Sequence, residues 1–398
     1  MEDKKSFFLN VRGDKVIWVI VLLLCFISIV AVYSSSSALA YKEQKSTIYF
    51  LFRQMRFVIF GVTALYICYK IPLGWYRMLS YFSLFVSILL LVATFFFGSK
   101  LNEAERWIRI FGISFQPAEF AKIAVILFLA KVMEDRSLET FKEFALWVVA
   151  PVTLVLLLIL YGSISTGLLL GGVSVLLLII AGIKWKHLLK TALIGTIGIA
   201  FIILLHFSFG FFPRVETAIN RIKTFTTEQT INNTMTPLEK QKVLDKTFQA
   251  DMAKIAVASA GITGKGPGKS TQRNLLPHPY SDFIYAVIIE EWGLLGALSI
   301  LILYIFFFTR SIMIAKACTT TFTSVMVIGL ALLITSQAML HICVNLGLLP
   351  VTGHTLPLVS LGGTSLIIMS GAFGMILSVS RTIEGEKALS IEEKEIVL

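Results

Sequence analysis

Asp282 is the acidic residue best placed for chemistry, because a basic, polar segment ends there and a long apolar run begins. A carboxyl group at the edge of a water-poor region holds its proton more tightly and can serve as a general base. A structural explanation competes with this one, since Ser281 or Asp282 would also suit the N-cap of a helix. On the pattern alone, capping is the stronger of the two explanations.

Glu290 and Glu291 lie farther along the same apolar run, about 12 Å deeper than Asp282 if the run is helical. Carboxylates inside a membrane span are costly, so by default they are functional or ion-paired. Successive residues are separated by about 100° around a helix, so at most one of the two shares a face with Asp282.

A second candidate cluster surrounds Pro117, which suits the first turn of a helix because its missing N–H does no harm there. Glu119 would then lie at the positive helix end, and Lys122, one turn later, can pair with it. A favourable helix start explains Glu119 without any function. It does not explain a lysine that enters the membrane beside it, because a lone buried ammonium is expensive. We therefore favour a functional role for this pair, with Arg106 and Arg109 just upstream.

The stretch from Gly264 to Ser270 resembles the end of a phosphate-binding P-loop. A P-loop needs a glycine five residues before Gly268, where Thr263 stands, and a preceding strand, so we exclude ATP binding. The glycines and lysines can still hold a phosphate through backbone amides and charge. A flexible turn explains the same residues equally well.

The third candidate segment runs from Asn345 to Ser365, where glycines, prolines and hydroxyls, including Ser360, interrupt an apolar background. Irregular backbone at membrane depth survives only against protein or a water-filled cavity. We therefore expect this segment to line a cavity or to re-enter the membrane.

The composition requires a membrane environment for these groups. Of 398 residues, 56% are hydrophobic and only 15% are charged, whereas soluble domains carry about 25% charged residues. The net charge of +11 suggests anionic lipid headgroups or phosphate-bearing substrates. No nucleic-acid-binding motif accompanies this charge, so we expect no nucleic acid partner. The four cysteines form no CxxC pair, which argues against a disulfide framework or a zinc site.

Apolar runs long enough to cross a bilayer predict an all-α polytopic membrane protein with about ten transmembrane helices. The runs begin near residues 16, 57, 78, 118, 143, 164, 188, 283, 321 and 361. The first has no small-residue cleavage site, so we interpret it as a retained span. The distribution of Lys and Arg predicts that both termini are cytoplasmic and that a large loop, residues 210–281, lies outside between helices seven and eight.

Within that outer loop, Leu244, Phe248, Met252 and Ile255 recur at helical spacing. This pattern predicts an amphipathic helix that either lies on the outer membrane interface or packs on the bundle. We assign residues 1–381 to one transmembrane domain and residues 382–398 to a polar, solvated cytoplasmic tail.

Together these segments resemble the SEDS family of bacterial cell-wall polymerases, the group of FtsW, RodA and SpoVE. The co-linear motifs cover residues 33–40, 106–108, 116–122, 264–266, 282–287, 290–293, 349–353, 356–357 and 362–365. The resemblance implies a peptidoglycan glycosyltransferase that polymerises lipid II, an undecaprenyl-pyrophosphate disaccharide-pentapeptide, in the bacterial cytoplasmic (inner) membrane. It favours the division-type FtsW over the elongation-type RodA. A lipid-linked precursor flippase and a non-catalytic scaffold are the alternatives from other classes.

The resemblance also assigns roles to residues. It implies that Asp282 is catalytic, together with the membrane-embedded pair of Glu119 and Lys122. The residues expected to bind the substrate are Arg106, Arg109, Lys265, Arg273, His278, Asn345 and Ser360. It further implies a class B penicillin-binding transpeptidase and divisome proteins as partners, and a divalent cation (Mg²⁺ or Mn²⁺) as an optional cofactor with no visible metal cluster.

Two departures from the family pattern limit what the resemblance carries over. The family has His-Thr before its aspartate, whereas this chain reads His278-Pro-Tyr-Ser-Asp282. The family's sixth span often opens with Asp-Leu-Gly-Thr, whereas this chain has Ser163-Ile-Ser-Thr166. No role for an acid at that second point is therefore expected here.

Overall fold

The computed structural model describes residues 12–101, 104–110, 113–209, 237–276 and 278–397, with residues 216, 219 and 225 in addition. The helices are α1 Lys15–Ser35, α2 Ser37–Lys42, α3 Thr47–Lys70, α4 Leu73–Phe97, α5 Pro117–Asp135, α6 Phe141–Gly162, α7 Ile164–Ile180, α8 Trp185–Phe209, α9 Pro237–Ala258, α10 Ile284–Lys316, α11 Thr321–Asn345 and α12 Thr364–Val397. Three short strands are β1 Ser99–Leu101, β2 Ala104–Ile110 and β3 Ile113–Phe115.

Within the described residues, seven helices are long and apolar enough to cross a membrane, so the chain is an α-helical multi-pass membrane protein. They are α1, α3, α4, α6, α10, α11 and the first part of α12. The other three predicted runs are helices too, but α5 carries five charged residues and α7 has only 17 residues. The total of ten spans therefore stays a prediction.

The helix α3 begins ten residues before the predicted apolar run. Its first turns carry the polar residues Arg53, Gln54 and Arg56. Because these residues interrupt the apolar pattern, the predicted run starts only after them. The side chain of Ser46 accepts a hydrogen bond from Ile48 N and caps this end. The early start matters because it brings Arg53 onto a helix beside the candidate site.

The helix α11 forms the centre of the bundle, where it packs against α5, α7, α10 and α12. In its most apolar window, 67% of the residues are buried, the largest share among the described spans. The pair α3 and α12 is also tightly packed, since a Cβ at Gly374 would lie 2.2 Å from the Leu65 carbonyl oxygen. These contacts fix the helices that carry the candidate residues.

The three strands form a small antiparallel sheet in the order β1-β2-β3, between α4 and α5. The sheet was not predicted, because its strands are too short to stand out beside the long apolar runs. Strand β3 leads through Gln116 directly into α5, and Ile108 pairs with Phe115. The sheet therefore holds β2 close to the start of α5.

The described N-terminal residues and the end of the last span meet at one end of the bundle. Asp14 N donates a hydrogen bond of 2.9 Å to Ser380 Oγ, and Gly13 N bonds to Glu384. The predicted tail beyond residue 381 continues α12 as a helix to Val397. The side assigned to the termini stays a prediction.

A break interrupts α10 at Gly293, where φ is 68° and ψ is −163°. Residues 261–266, in the segment that precedes α10, lie across this break and supply replacement hydrogen bonds. Leu294 N donates to Gly261 O at 3.2 Å, and Lys265 N donates to Glu290 O at 2.9 Å. The glycine-rich segment is therefore part of the structure of α10, and the Lys265 and Gly266 amides donate to α10 carbonyls.

Replacing Gly264 with alanine is expected to destabilise the protein more than the matched change at Gly268. Both glycines have positive φ, 77° and 75°, which costs an L-residue about 1–2 kcal/mol. Only at Gly264 would the new Cβ collide, 2.3 Å from Glu291 O, which adds about 1–3 kcal/mol. Thermal unfolding in detergent should give Gly264→Ala the lower Tm. Equal Tm losses for the two variants would contradict the proposed close packing.

Candidate active site

A cavity of about 470 Å³ brings Asp282 and Glu119 together. It lies between α3, the small sheet, the start of α5 and the irregular segment that precedes α12. Its lining residues are Arg53, Phe57, Trp107, Ser114, Gln116, Glu119, Thr166, His278, Tyr280, Ser281, Asp282, Gly353, His354, Thr355, Leu361, Gly362, Gly363, Thr364 and Ser365. The expectation that the 345–365 segment lines a cavity is confirmed.

Asp282 does not serve as a helix cap. The helix α10 begins at Ile284, its N-cap is Phe283, and no side chain of the cap residue bonds to the first turn. Instead, Asn345 Oδ1 accepts a hydrogen bond of 3.0 Å from Ala286 N. The N-cap position of α10 is therefore Phe283 and not Asp282, whose half-buried side chain lies in the cavity wall.

The backbone that carries Asp282 is held by two residues that the sequence assigned to substrate binding. Asn345 Nδ2 donates to Asp282 O at 3.0 Å, and Ser360 Oγ donates to Ser281 O at 2.8 Å. Neither Asn345 nor Ser360 lines the cavity, and both are buried. Both residues therefore hold the backbone at Asp282 in place, and their role in binding substrate stays a prediction.

His278 and Tyr280 form a hydrogen-bonded pair at the cavity wall, with 3.1 Å between His278 Nδ1 and Tyr280 Oη. His278 has a φ of 55°, a conformation that costs energy for a non-glycine residue and is often found at functional sites. Burial raises the pKa of the Tyr280 hydroxyl, and the positive charge of Arg53 partly opposes this rise. The predicted substrate residue His278 is thus placed in the cavity beside Asp282.

Glu119 and Lys122 form the predicted ion pair, with 2.8 Å between Lys122 Nζ and Glu119 Oε1. Gln337 Oε1 accepts a second hydrogen bond from Lys122 Nζ at 2.6 Å, and Ser365 Oγ donates to Glu119 Oε2 at 3.0 Å. Lys122 is fully buried and does not line the cavity, whereas Glu119 does. Lys122 therefore contacts a cavity residue, Glu119, and its own role in the site stays a prediction.

Glu290 and Glu291 are both ion-paired. Lys265 Nζ lies 2.6 Å from Glu290 Oε1, and Arg273 Nη1 lies 3.6 Å from Glu291 Oε1. Glu290 also accepts hydrogen bonds from Ser270 and from the backbone amides of residues 271 and 272. Of the two explanations offered for these buried carboxylates, a functional role or ion pairing, ion pairing therefore accounts for their burial. Lys265 and Arg273 do not line the cavity, and their predicted contact with a phosphate stays a prediction.

Arg106 and Arg109 lie on β2, next to the cavity residue Trp107. Their side chains lie outside the described residues, so their part in the site stays a prediction. Arg53 is the cation that the sequence analysis missed, and it lines the cavity from α3. The one sequence feature that could have pointed to Arg53 is its position as a charged residue in the first turns of an apolar helix. Thr166 was missed as well, because no pattern around it indicates a cavity wall, whereas His354 belongs to the 345–365 segment that was expected to line a cavity.

The described residues include no group of three or more His, Cys, Asp or Glu side chains that could hold a metal ion. Two carboxylates, Asp282 and Glu119, do line the cavity. A resident metal centre does not fit this donor set. A divalent cation would need most of its ligands from the phosphates of a substrate and from water.

Comparison with known proteins places nearly the whole chain in one family. A family model described as "Cell cycle protein", for FtsW, RodA and SpoVE, matches residues 14–384. Stage V sporulation protein E of Bacillus subtilis is 32% identical over 92% of this chain and 97% of its own length. The peptidoglycan glycosyltransferase MrdB of Escherichia coli K12 is 30% identical over 95% of this chain and 96% of its own.

Solved structures agree with this assignment. A chain of a peptidoglycan synthase complex that coordinates polymerization and crosslinking is 25% identical, with a TM-score of 0.68 over 93% of this chain and 98% of its own. The rod shape determining protein RodA of Thermus thermophilus shares the fold, with a TM-score of 0.66 at 23% identity over 93% of this chain and 97% of its own. The chain therefore belongs to the FtsW/RodA/SpoVE family, the SEDS proteins.

Proposed function

We propose that this protein is a peptidoglycan glycosyltransferase that polymerises lipid II into glycan strands. The observation that carries the proposal is the shared cavity of Asp282 and Glu119 at the ends of two apolar helices, α10 and α5. The names of relatives that align over nearly the whole chain support the same activity. No nucleotide is needed, because the sugar of lipid II arrives already activated by its diphosphate.

In the proposed reaction, Asp282 takes the proton from the 4-hydroxyl of the acceptor sugar as that oxygen attacks the donor's anomeric carbon. The new bond joins the acceptor oxygen to the anomeric carbon, and the bond from that carbon to the undecaprenyl diphosphate breaks. The electron pair of that bond leaves with the diphosphate, the proton stays on Asp282, and the configuration at the anomeric carbon inverts. The half-buried setting of Asp282 supports its role as the base.

The leaving diphosphate develops negative charge that a nearby cation stabilises. Among the described side chains that line the cavity, Arg53 is the permanent cation, and its guanidinium can form paired hydrogen bonds with phosphate oxygens. Arg106 and Arg109 are proposed as further phosphate contacts from β2. Lys122 keeps Glu119 ionised and oriented. A bound Mg²⁺ or Mn²⁺ would supply additional neutralisation of the diphosphate.

The proposed setting is the bacterial cytoplasmic (inner) membrane, crossed ten times, with both termini in the cytoplasm. Residues 210–281 then form the outer loop, and residues 1–381 form the transmembrane domain. A class B penicillin-binding transpeptidase is the proposed partner, supported by the structural neighbour from a synthase complex. We favour a division-type protein that works with divisome proteins over an elongation-type one. Depletion should then give filaments, whereas spheres would indicate the elongation type.

Incubating the purified protein with lipid II tests the proposed activity directly. We expect glycan polymers that lengthen with time on a gel and that disappear after muramidase digestion. The flippase alternative has its own readout, which is movement of labelled lipid II across vesicle bilayers. Translocation without any polymer would replace the glycosyltransferase with a transporter. Transpeptidase binding with neither activity would leave a scaffold.

A further inference from the structure

The central helix α11 carries a row of three buried polar side chains, Gln337, His341 and Asn345. Their exposed fractions are 0%, 1% and 0%. The four-residue spacing places them on one face of the helix, one turn apart. Burying polar groups costs free energy unless they find hydrogen-bond partners. We call these three residues the polar stripe.

Two members of the polar stripe bond to the cavity wall. Gln337 Nε2 donates to Thr355 O at 3.0 Å. His341 Nδ1 lies 2.7 Å from His354 O, and because a carbonyl only accepts, this nitrogen carries the proton. The other ring nitrogen of His341 is buried without a hydrogen-bond partner among the described residues. The hydrogen bond to His354 O in the cavity wall is therefore the one that the buried His341 ring makes among the described residues.

The first and last residues of the polar stripe contact the residues that surround the two carboxylates of the cavity, Glu119 and Asp282. Asn345 bonds to the backbone of Asp282, and Gln337 accepts a hydrogen bond from Lys122, the partner of Glu119. These ends are eight residues apart, or about 12 Å along the helix. One helix thus contacts both carboxylate-bearing parts of the cavity through short, fixed side chains.

The wall segment 353–355 completes the connection between the two acids. A Cβ at Gly353 would lie 3.5 Å from Asp282 Oδ2, so the backbone there approaches the carboxylate closely. Thr355 Oγ1 lies 3.5 Å from the hydroxyl of Ser365, which donates to Glu119. A shift of this segment would therefore disturb both carboxylates at once.

We propose that the polar stripe is a positioning device that sets the distance between Asp282 and Glu119 and holds the 353–355 wall between them. None of its three residues lines the cavity, so in this proposal they act through the groups that they hold. This inference rests on the proposed glycosyltransferase function, because it deepens the description of that same site.

Paired substitutions at His341 test the proposal. His341→Leu removes the donor and leaves His354 O unsatisfied, which should lower kcat for lipid II polymerisation about tenfold. His341→Gln keeps an N–H donor of similar reach, so it should restore most of kcat. KM should stay within about threefold of wild type in both variants, since the binding surface is unchanged. Equal losses in the Leu and Gln variants, or a rise in KM at unchanged kcat, would overturn the proposal.

Hydrogen exchange of residues 353–363 gives a second readout that needs no activity. Exchange should be faster in His341→Leu and in Gln337→Met than in wild type, and unchanged in His341→Gln. If wild type fails to polymerise lipid II but the three variants show the expected exchange rates, the proposed function is wrong and the proposed positioning contacts are supported. If exchange in all three variants equals that of wild type, the stripe does not hold the wall, whatever the enzyme does.

Discussion

Asp282→Asn is expected to lower the rate of glycan polymerisation by about 10²–10⁴-fold without unfolding the protein. The amide has the shape of the carboxylate but cannot accept the proton of the attacking hydroxyl. The helix start does not depend on the Asp282 side chain, because Asn345 provides the bond to Ala286 N. Initial rates of lipid II polymerisation and Tm in the same detergent would measure both effects.

The aspartate at position 251 provides a matched control for this change. It lies on α9 and does not line the cavity, so Asp251→Asn should keep nearly the wild-type rate. A folded Asp282→Asn variant with the rate of Asp251→Asn would show that Asp282 is not the base. The mechanism proposed above would then be wrong even if the protein is a polymerase.

Lys122→Met is expected to destabilise the protein by about 3–5 kcal/mol and to abolish polymerisation. Methionine fills similar space, but it leaves Glu119 without its cation in a site where the glutamate is only 4% exposed. Gln337 Oε1 also loses its donor. Denaturant or thermal unfolding in detergent would measure the loss of stability.

A second substitution separates stability from activity. In the double variant Glu119→Gln/Lys122→Met, no buried charge remains unpaired, so most of the lost stability should return. Polymerisation should stay absent, because the cavity then lacks the Glu119 carboxylate. Recovery of activity along with stability would mean that the pair serves the fold alone. No recovery of stability would mean that the ion pair is not the cause of the destabilisation.

The main candidates for chemistry were predictable from local sequence patterns. Asp282 stands at a sharp change from polar to apolar sequence, and Glu119 and Lys122 stand three residues apart just after a proline. Each signal is local, although for Asp282 the pattern alone favoured a helix cap and only the family resemblance favoured catalysis. A helix over Leu244–Ile255 was predicted for the same reason, and α9 spans these residues. Of its predicted apolar face, Met252 packs against the bundle, while Phe248 and Ile255 are exposed.

The contacts of the basic residues between α9 and α10 were not predictable, because they depend on how distant segments of the chain meet. Lys265 and Arg273 looked like phosphate ligands in a basic loop, yet their partners are Glu290 and Glu291 on α10. No residue pattern in the sequence marks the break in α10 at Gly293 or the packing of residues 261–266 across it. Arg53 was missed because only the packing of α3 against the irregular segment shows which way it faces.

The break in α10 has a mechanical consequence for an enzyme embedded in a lipid sheet of varying thickness. A continuous helix transmits a change of tilt along its whole length, whereas one interrupted at Gly293 bends there. Here residues 261–266 bond to both sides of the break, since Leu294 N donates to Gly261 O and Lys265 N donates to Glu290 O. A change of tilt in the long segment therefore reaches the short segment that follows Asp282 through residues 261–266 as well as through the chain at Gly293.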